Sequence, residues 1–203
     1  MGSSPSRSKG TSSSFGRALT CFRPSQGSDC TKQVAANSNT TGDMARTHRE
    51  EIQKICRESL ELCPCGEPDE QNGLDFYKYF FTNFPDLRVY FKGAEKFTAD
   101  DVQKSDRFKK QGQRLLLATH LLVKIYDDPM IYHAYIRETM NRHRQFKIDP
   151  ALWTAFWTVW LGYLQSKNPS TPVSQTVKDA WTELGNEFAV VARQHLKNLG
   201  LPN

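Results

Sequence analysis

Residues 131–150, IYHAYIRETMNRHRQFKIDP, decide how the rest of the chain is read. Tyr132, Ile136, Met140 and His143 follow one another in steps of four, four and three, the spacing of a single helical face. His143 therefore belongs to the inward side of a helix, in its last turn. Arg142, Arg144 and Lys147 crowd the same end, where cations suit the negative pole of the helix dipole. Pro150 opens a new helix at a position where its missing N–H costs nothing. A neutral imidazole on an apolar face has two readings, a satisfied core histidine or an axial ligand to a metal. A lone histidine lacks the ligand spacing that makes a metal motif specific, so the neighbouring segments have to decide.

Those segments all read as helices. Downstream, 150–167 carries Leu152, Trp153, Phe156, Trp157, Trp160, Leu161 and Leu164, apolar around most of its circumference, as in a helix central to a core. A last helix follows the loop NPSTP (168–172), with Val177, Trp181, Leu184, Phe188, Val191 and His195 in one stripe. Upstream, the pattern predicts one long helix over 99–126 with Phe108, Gln111, Leu115, Thr119 and Leu122 on its inner face. Gln111 interrupts that stripe, and a buried amide costs free energy unless it is partnered; it is either a boundary residue or one with a purpose. Earlier still, Leu74, Tyr77, Phe81 and Phe84 share a face of a helix over 74–84, and a proline turn, PDLRVYF, ends at Phe91. A first helix is expected from Asp43, with Thr47 and Glu50 as a capping box and Ile52, Ile55, Cys56, Ser59, Leu60 and Cys63 as its stripe. Cys63-Pro64-Cys65-Gly66 stops it, a turn whose thiols fall one residue short of the redox C-x-x-C spacing. Nothing alternates with the period of a strand, so the expected class is all-α.

The chain of 203 residues, 38% hydrophobic, holds enough apolar surface for one domain and something besides. The extra part is residues 1–42, Ser/Thr/Gly-rich and expected to be a disordered tail, with the domain over 43–203. Of the net charge of +5, the tail holds +4, from Arg7, Lys9, Arg17, Arg23 and Lys32 against Asp29. The body is near neutral, which argues against nucleic acid as a partner. Five cysteines, an odd number in no known framework, suit reduced thiols in a cytoplasmic setting. No apolar run approaches the roughly 18 residues that span a bilayer. The start, Met1-Gly2-Ser3-Ser4-Pro5-Ser6, fits N-myristoylation at Gly2. One acyl chain needs a second signal for stable membrane binding, for which the basic residues and palmitoylation of Cys21 are candidates. The expected location is the cytoplasmic face of a membrane.

Three segments taken together, NFPDLRVYF (83–91), KKQGQRLLLA (109–118) and NRHRQFKIDPALW (141–153), resemble a globin, and within that family the nematode globins. The resemblance covers roughly residues 45–200. It implies the globin fold, a three-over-three sandwich of helices, and haem b as cofactor. It assigns His143, seven residues before Pro150, as the proximal ligand of haem iron. Phe91, six residues after Pro85, becomes the aromatic that wedges the haem. Gln111 takes the distal position, where many globins have histidine, and Leu115 lies over the haem four residues on. Tyr77 points into the distal pocket, and Arg114 is placed to reach a haem propionate. The other histidines, His48, His120, His133 and His195, fall at no ligand position of the family and are read as packing or boundary residues.

The resemblance implies reversible binding of oxygen or another diatomic ligand. Tyr77 O–H and the Gln111 amide are donors to a ligand that gathers negative charge. Each such bond is worth roughly 1.5–3 kcal/mol, enough for slow ligand release. Two alternatives remain: a redox-active haem protein acting in electron transfer or on reactive oxygen and nitrogen species, and a haem-based sensor. The Tyr77/Gln111 pair favours binding rather than catalysis, and the acyl tail favours the alternatives.

Overall fold

Seven α-helices and three short 3-10 turns make up the described residues, 30–66 and 69–201, of the computed structural model, and no strand occurs among them. The described residues from 40 onward form one compact unit. Helix α1 is Cys30–Ser59, α2 Gln71–Asn83, α3 Ala99–Gln103, α4 Asp106–Lys124, α5 Pro129–His143, α6 Leu152–Lys167 and α7 Gln175–Asn198. The expected acylation and palmitoylation positions, Gly2 and Cys21, lie outside the described residues.

Two expected boundaries are corrected. The helix anticipated from Asp43 is part of α1, which is already helical at Cys30. Thr47 is not its cap: the Thr47 hydroxyl donates to the Asp43 carbonyl one turn back, 2.9 Å away, as threonines in helix interiors do. The long helix over 99–126 is two helices. Thr98 and Asp101 form a capping box on α3, and Ser105, in extended backbone, accepts from Phe108 N to start α4. Two caps within seven residues each offer the backbone an end that a continuous helix lacks.

The core is aromatic. Trp160, Trp181, Tyr126, Tyr132, Tyr163, Phe76, Phe81 and Phe108 are all fully buried. Helix α2 packs on α4 and α6, and α7 packs on α5 and α6. The buried face of α4 is Phe108, Gly112, Leu116, Thr119, Leu122 and Val123. Phe108, Thr119 and Leu122 of the expected stripe are on that face, whereas Gln111 and Leu115 are half-buried beside it, each one residue away from the buried Gly112 and Leu116. The α5 stripe is as read: Tyr132, Ile136 and Met140 are fully buried and His143 ends the row half-buried. Cys56, Cys63 and Cys65 are free thiols, and burial pushes Cys56 and Cys63 up to about 12.

Candidate functional site

Helices α2 and α4 cross with their backbones in contact. A Cβ added to Gly73 would lie 2.4 Å from the Gly112 carbonyl carbon, and one added to Gly112 would lie as close to Gly73. Only glycine at both positions permits that approach. The crossing sets Tyr77, one turn beyond Gly73, against Gln111, the neighbour of Gly112. The Tyr77 ring is buried, 5.1 Å from Phe108 and 5.8 Å from Phe91. Burial pushes its phenol well above the usual tyrosine value, opposed only in part by a hydrogen-bond interaction with the Gln111 side chain and by the Arg107 charge. Tyr77 therefore keeps its proton at any neutral pH.

Phe91 follows the 3-10 turn Pro85–Tyr90. The turn is tied to α2 by the Arg88 guanidinium, which donates to the Phe81 carbonyl. Phe91 is half-buried, its ring 5.5 Å from Phe80 and 5.2 Å from Phe81. Leu115 packs against the core from the half-buried side of α4. Arg114 is exposed and borders a surface hollow with Glu70, Asp106 and Lys110.

His143 closes α5. Its Nδ1 lies 2.8 Å from the Thr139 carbonyl. A carbonyl only accepts, so Nδ1 carries the proton and donates, and in the neutral ring Nε2 keeps its lone pair. The other four histidines spend Nε2 on protein: His48 on Glu183, His120 on the Cys63 carbonyl, His133 on Glu187 and His195 on Asn141. Among the described residues, His143 alone leaves Nε2 uncommitted. Trp153 stands edge-on to its ring at 5.4 Å, and Phe146, half exposed, at 6.1 Å. Neither Thr139 nor Trp153 is visible as a site residue in the sequence, although the step of four from Thr139 to His143 is the spacing that lets a helical side chain reach back to a carbonyl. Gly73 was equally silent, since what it meets is 39 residues away in the chain.

The sequence pattern of the Globin family matches residues 74–192, more than half of the chain. The chain is 56% identical over 156 residues to a globin-like protein of Caenorhabditis briggsae, covering 76% of this chain and 96% of that protein. This chain is a globin. It is 47% identical to the myoglobin of Ascaris suum, covering 73% of this chain and 97% of that one. The solved Caenorhabditis elegans globin-like protein superposes with a TM-score of 0.73 at 55% identity, covering 76% of this globin and 98% of that chain. Aplysia limacina myoglobin, at 17% identity and a TM-score of 0.62, shares the fold. Family membership implies haem iron as the cofactor. The residues fit it: one neutral imidazole with a free lone pair is an incomplete ligand set for a bare ion, and suits an iron whose other ligands come from a macrocycle.

Proposed function

We propose that this globin would hold haem b through His143 Nε2 and bind oxygen reversibly, with Tyr77 and Gln111 as hydrogen-bond donors to the ligand. When bound, the haem would supply an iron that takes up a diatomic ligand. The chain's own residues do the rest. The Thr139 carbonyl fixes the His143 tautomer and ring direction through Nδ1. Tyr77 O–H and the Gln111 amide present donors that neither ionise nor titrate near neutrality. Phe91 and Leu115 supply apolar wall, which keeps water from competing for those donors. Arg114 is assigned to a propionate at the pocket mouth.

The observation that carries the reading is the uncommitted Nε2 of His143. His143→Gly is expected to lose the Soret band and to regain it when imidazole is added; an unchanged spectrum would remove His143 from the site. Tethering to a membrane through Gly2 and the basic tail is part of the same proposal. Gly2→Ala should move the protein from the membrane to the soluble fraction, and unchanged partitioning sinks that part. A second reading, one-electron chemistry at the haem, is favoured by one contact, the Trp153 ring against His143.

A further inference from the structure

We propose that Arg107 latches the loop after Phe91 against α4, and so sets how fast a diatomic ligand enters and leaves the site beside Tyr77 and Gln111 without itself touching the ligand. The proposal rests on that site being where the ligand binds. Arg107 and Gln111 stand four residues apart on α4, one helical turn, and so share a face of it. The Arg107 side chain lies over its neighbour's ring, with the guanidinium carbon 5.5 Å from the centre of Phe108. From there Nη1 donates to the Lys92 carbonyl at 2.7 Å. Phe108 is buried and packs on Tyr77 at 5.1 Å, on Phe91 at 5.9 Å and on Phe97 at 6.1 Å. One guanidinium therefore joins the helix of Gln111, the loop that starts after Phe91 and the ring that walls Tyr77. Its charge is also felt at the Tyr77 phenol.

Residues 92–97 connect Phe91 to Thr98, the cap of α3. Ala94 is fully buried, whereas Lys92, Gly93, Glu95 and Lys96 are exposed. Among the described residues, the backbone bonds of this loop are short-range. Ala94 N–H donates to the Phe91 carbonyl at 2.7 Å, and Phe97 N–H to the Ala94 carbonyl at 3.0 Å. Gly93 takes φ +82°, a conformation that L side chains rarely adopt, and its N–H donates to the Glu95 carboxylate at 2.9 Å. A Cβ on Gly93 would lie 3.9 Å from Arg107 Nη1, so the guanidinium runs beside this turn. The Glu95 carboxyl is held below the usual carboxylate range, first by the backbone N–H groups of Glu95 and Gly93 and then by the Arg107 charge. The loop is thus a preformed turn, fastened to α4 by the Arg107 bond and to the core by Ala94 and Phe97. Such a unit moves as one piece when its fastening opens.

Bonds made by exposed charges add little to stability, and what this one fastens gives it its consequence. Phe91, at the start of the loop, lies 5.8 Å from Tyr77. Phe97, at its end, lies on Phe108, the other ring against Tyr77. Movement of the loop therefore loosens the aromatic wall on this side of Tyr77. Loosening a wall lowers a barrier, and a barrier is crossed in both directions. Release of the latch speeds entry and exit alike, and it leaves the affinity unchanged because Arg107 makes no contact that distinguishes bound from free. Tyr77 works differently: it holds the bound ligand, so its loss speeds exit alone. Kinetics separates the two roles.

The test is Arg107→Met in the full-length holoprotein, which keeps an unbranched stem over Phe108 and removes the donor. Oxygen association is measured by flash photolysis and dissociation by stopped-flow displacement. Both rates should rise by about threefold to tenfold, the size of one partly exposed charge-assisted bond, with their ratio held within about twofold. Hydrogen exchange read by mass spectrometry should quicken over residues 92–97 and stay as in wild type over α5. Should Arg107→Met fail to fold, Glu95→Gln, which takes the facing charge off the loop, should speed both rates in the same direction by a smaller factor. Unchanged rates in folded Arg107→Met, a rise in dissociation alone, unchanged exchange over 92–97, or unchanged rates in Glu95→Gln where it replaces Arg107→Met overturns the proposal. Tyr77→Phe separates the two readings. If it speeds oxygen release while Arg107→Met alters neither rate, the site stands and the latch alone falls; if it changes nothing, the site assignment itself falls.

Discussion

In the proposed function Tyr77 and Gln111 divide one task. Both reach the same side of the crossing between α2 and α4, and only Tyr77 is fully enclosed. Its hydroxyl is held protonated by burial, so it remains a donor throughout the neutral range. On the proposed reading Tyr77→Phe would delete a bond to a charge-bearing ligand worth roughly 1.5–3 kcal/mol. Oxygen dissociation, measured by stopped-flow displacement, should therefore speed up by about tenfold to a hundredfold. An unchanged rate would remove Tyr77 from the mechanism. The choice of glutamine over histidine at 111 has its own consequence, because an amide does not titrate. The dissociation rate should stay flat between about pH 5 and pH 8, the interval in which a distal histidine would ionise.

The Gly73–Gly112 crossing makes that pocket possible, and it is also its weakest tolerance. A methyl group on Gly73 meets backbone rather than a movable side chain, so α2 and α4 must separate. Gly73→Ala should cost about 1–3 kcal/mol or more in thermal or denaturant unfolding, the ordinary range for overpacking. It should also quicken oxygen release, since Tyr77 and Gln111 ride on the two helices that part. Helix α5 has a different point of control. Asp128 accepts from Met130 N and Ile131 N at 3.0 and 3.1 Å, and Pro129 follows at the first helical position. Asp128→Ala removes a cap worth about 1 kcal/mol. Because the cap lies at the far end of α5 from His143, stability should fall while the haem spectrum is unchanged.

The helices are also tied together by charge. The Arg49 guanidinium on α1 donates to Glu187 on α7 at 2.6 Å and to the Tyr126 carbonyl at 2.7 Å, and its carbon lies 4.0 Å from the centre of the Tyr126 ring. His133 on α5 meets the other Glu187 oxygen at 2.7 Å. Burial alone would raise the Glu187 carboxyl, but the hydrogen bonds from Arg49 and His133 outweigh it and hold the group below its ordinary 4.5. A carboxyl lowered on folding stabilises the native state above its unfolded value, and that contribution is lost as pH falls through the lower folded value. Glu187→Gln should therefore lower stability at neutral pH by about 1–3 kcal/mol, discounted toward the lower end because a quarter of the side chain is exposed. It should also flatten the loss of stability on the acid side of about pH 5. Equal acid limbs in variant and wild type would show that Glu187 is not the group responsible.

Much of this globin is written in its periodicities. The α5 stripe ending at His143, the turn from Pro85 to Phe91, the aromatic α6 and the absence of strand patterns are local properties, set by spacing along a few turns of chain, and each appears in the structure where it was read. The division of α3 from α4 was also local, in Thr98 and Ser105, but a strong apolar period masks a cap. What the linear order could not hold is what meets what across the core. Gly73 matters because Gly112 is against it. Nε2 of His143 is distinctive because the other four histidines find partners on distant elements. The tryptophans form a row because α6 and α7 pack in one register. Spacing determines which face a side chain occupies, and only the packing of helices against one another decides its partner.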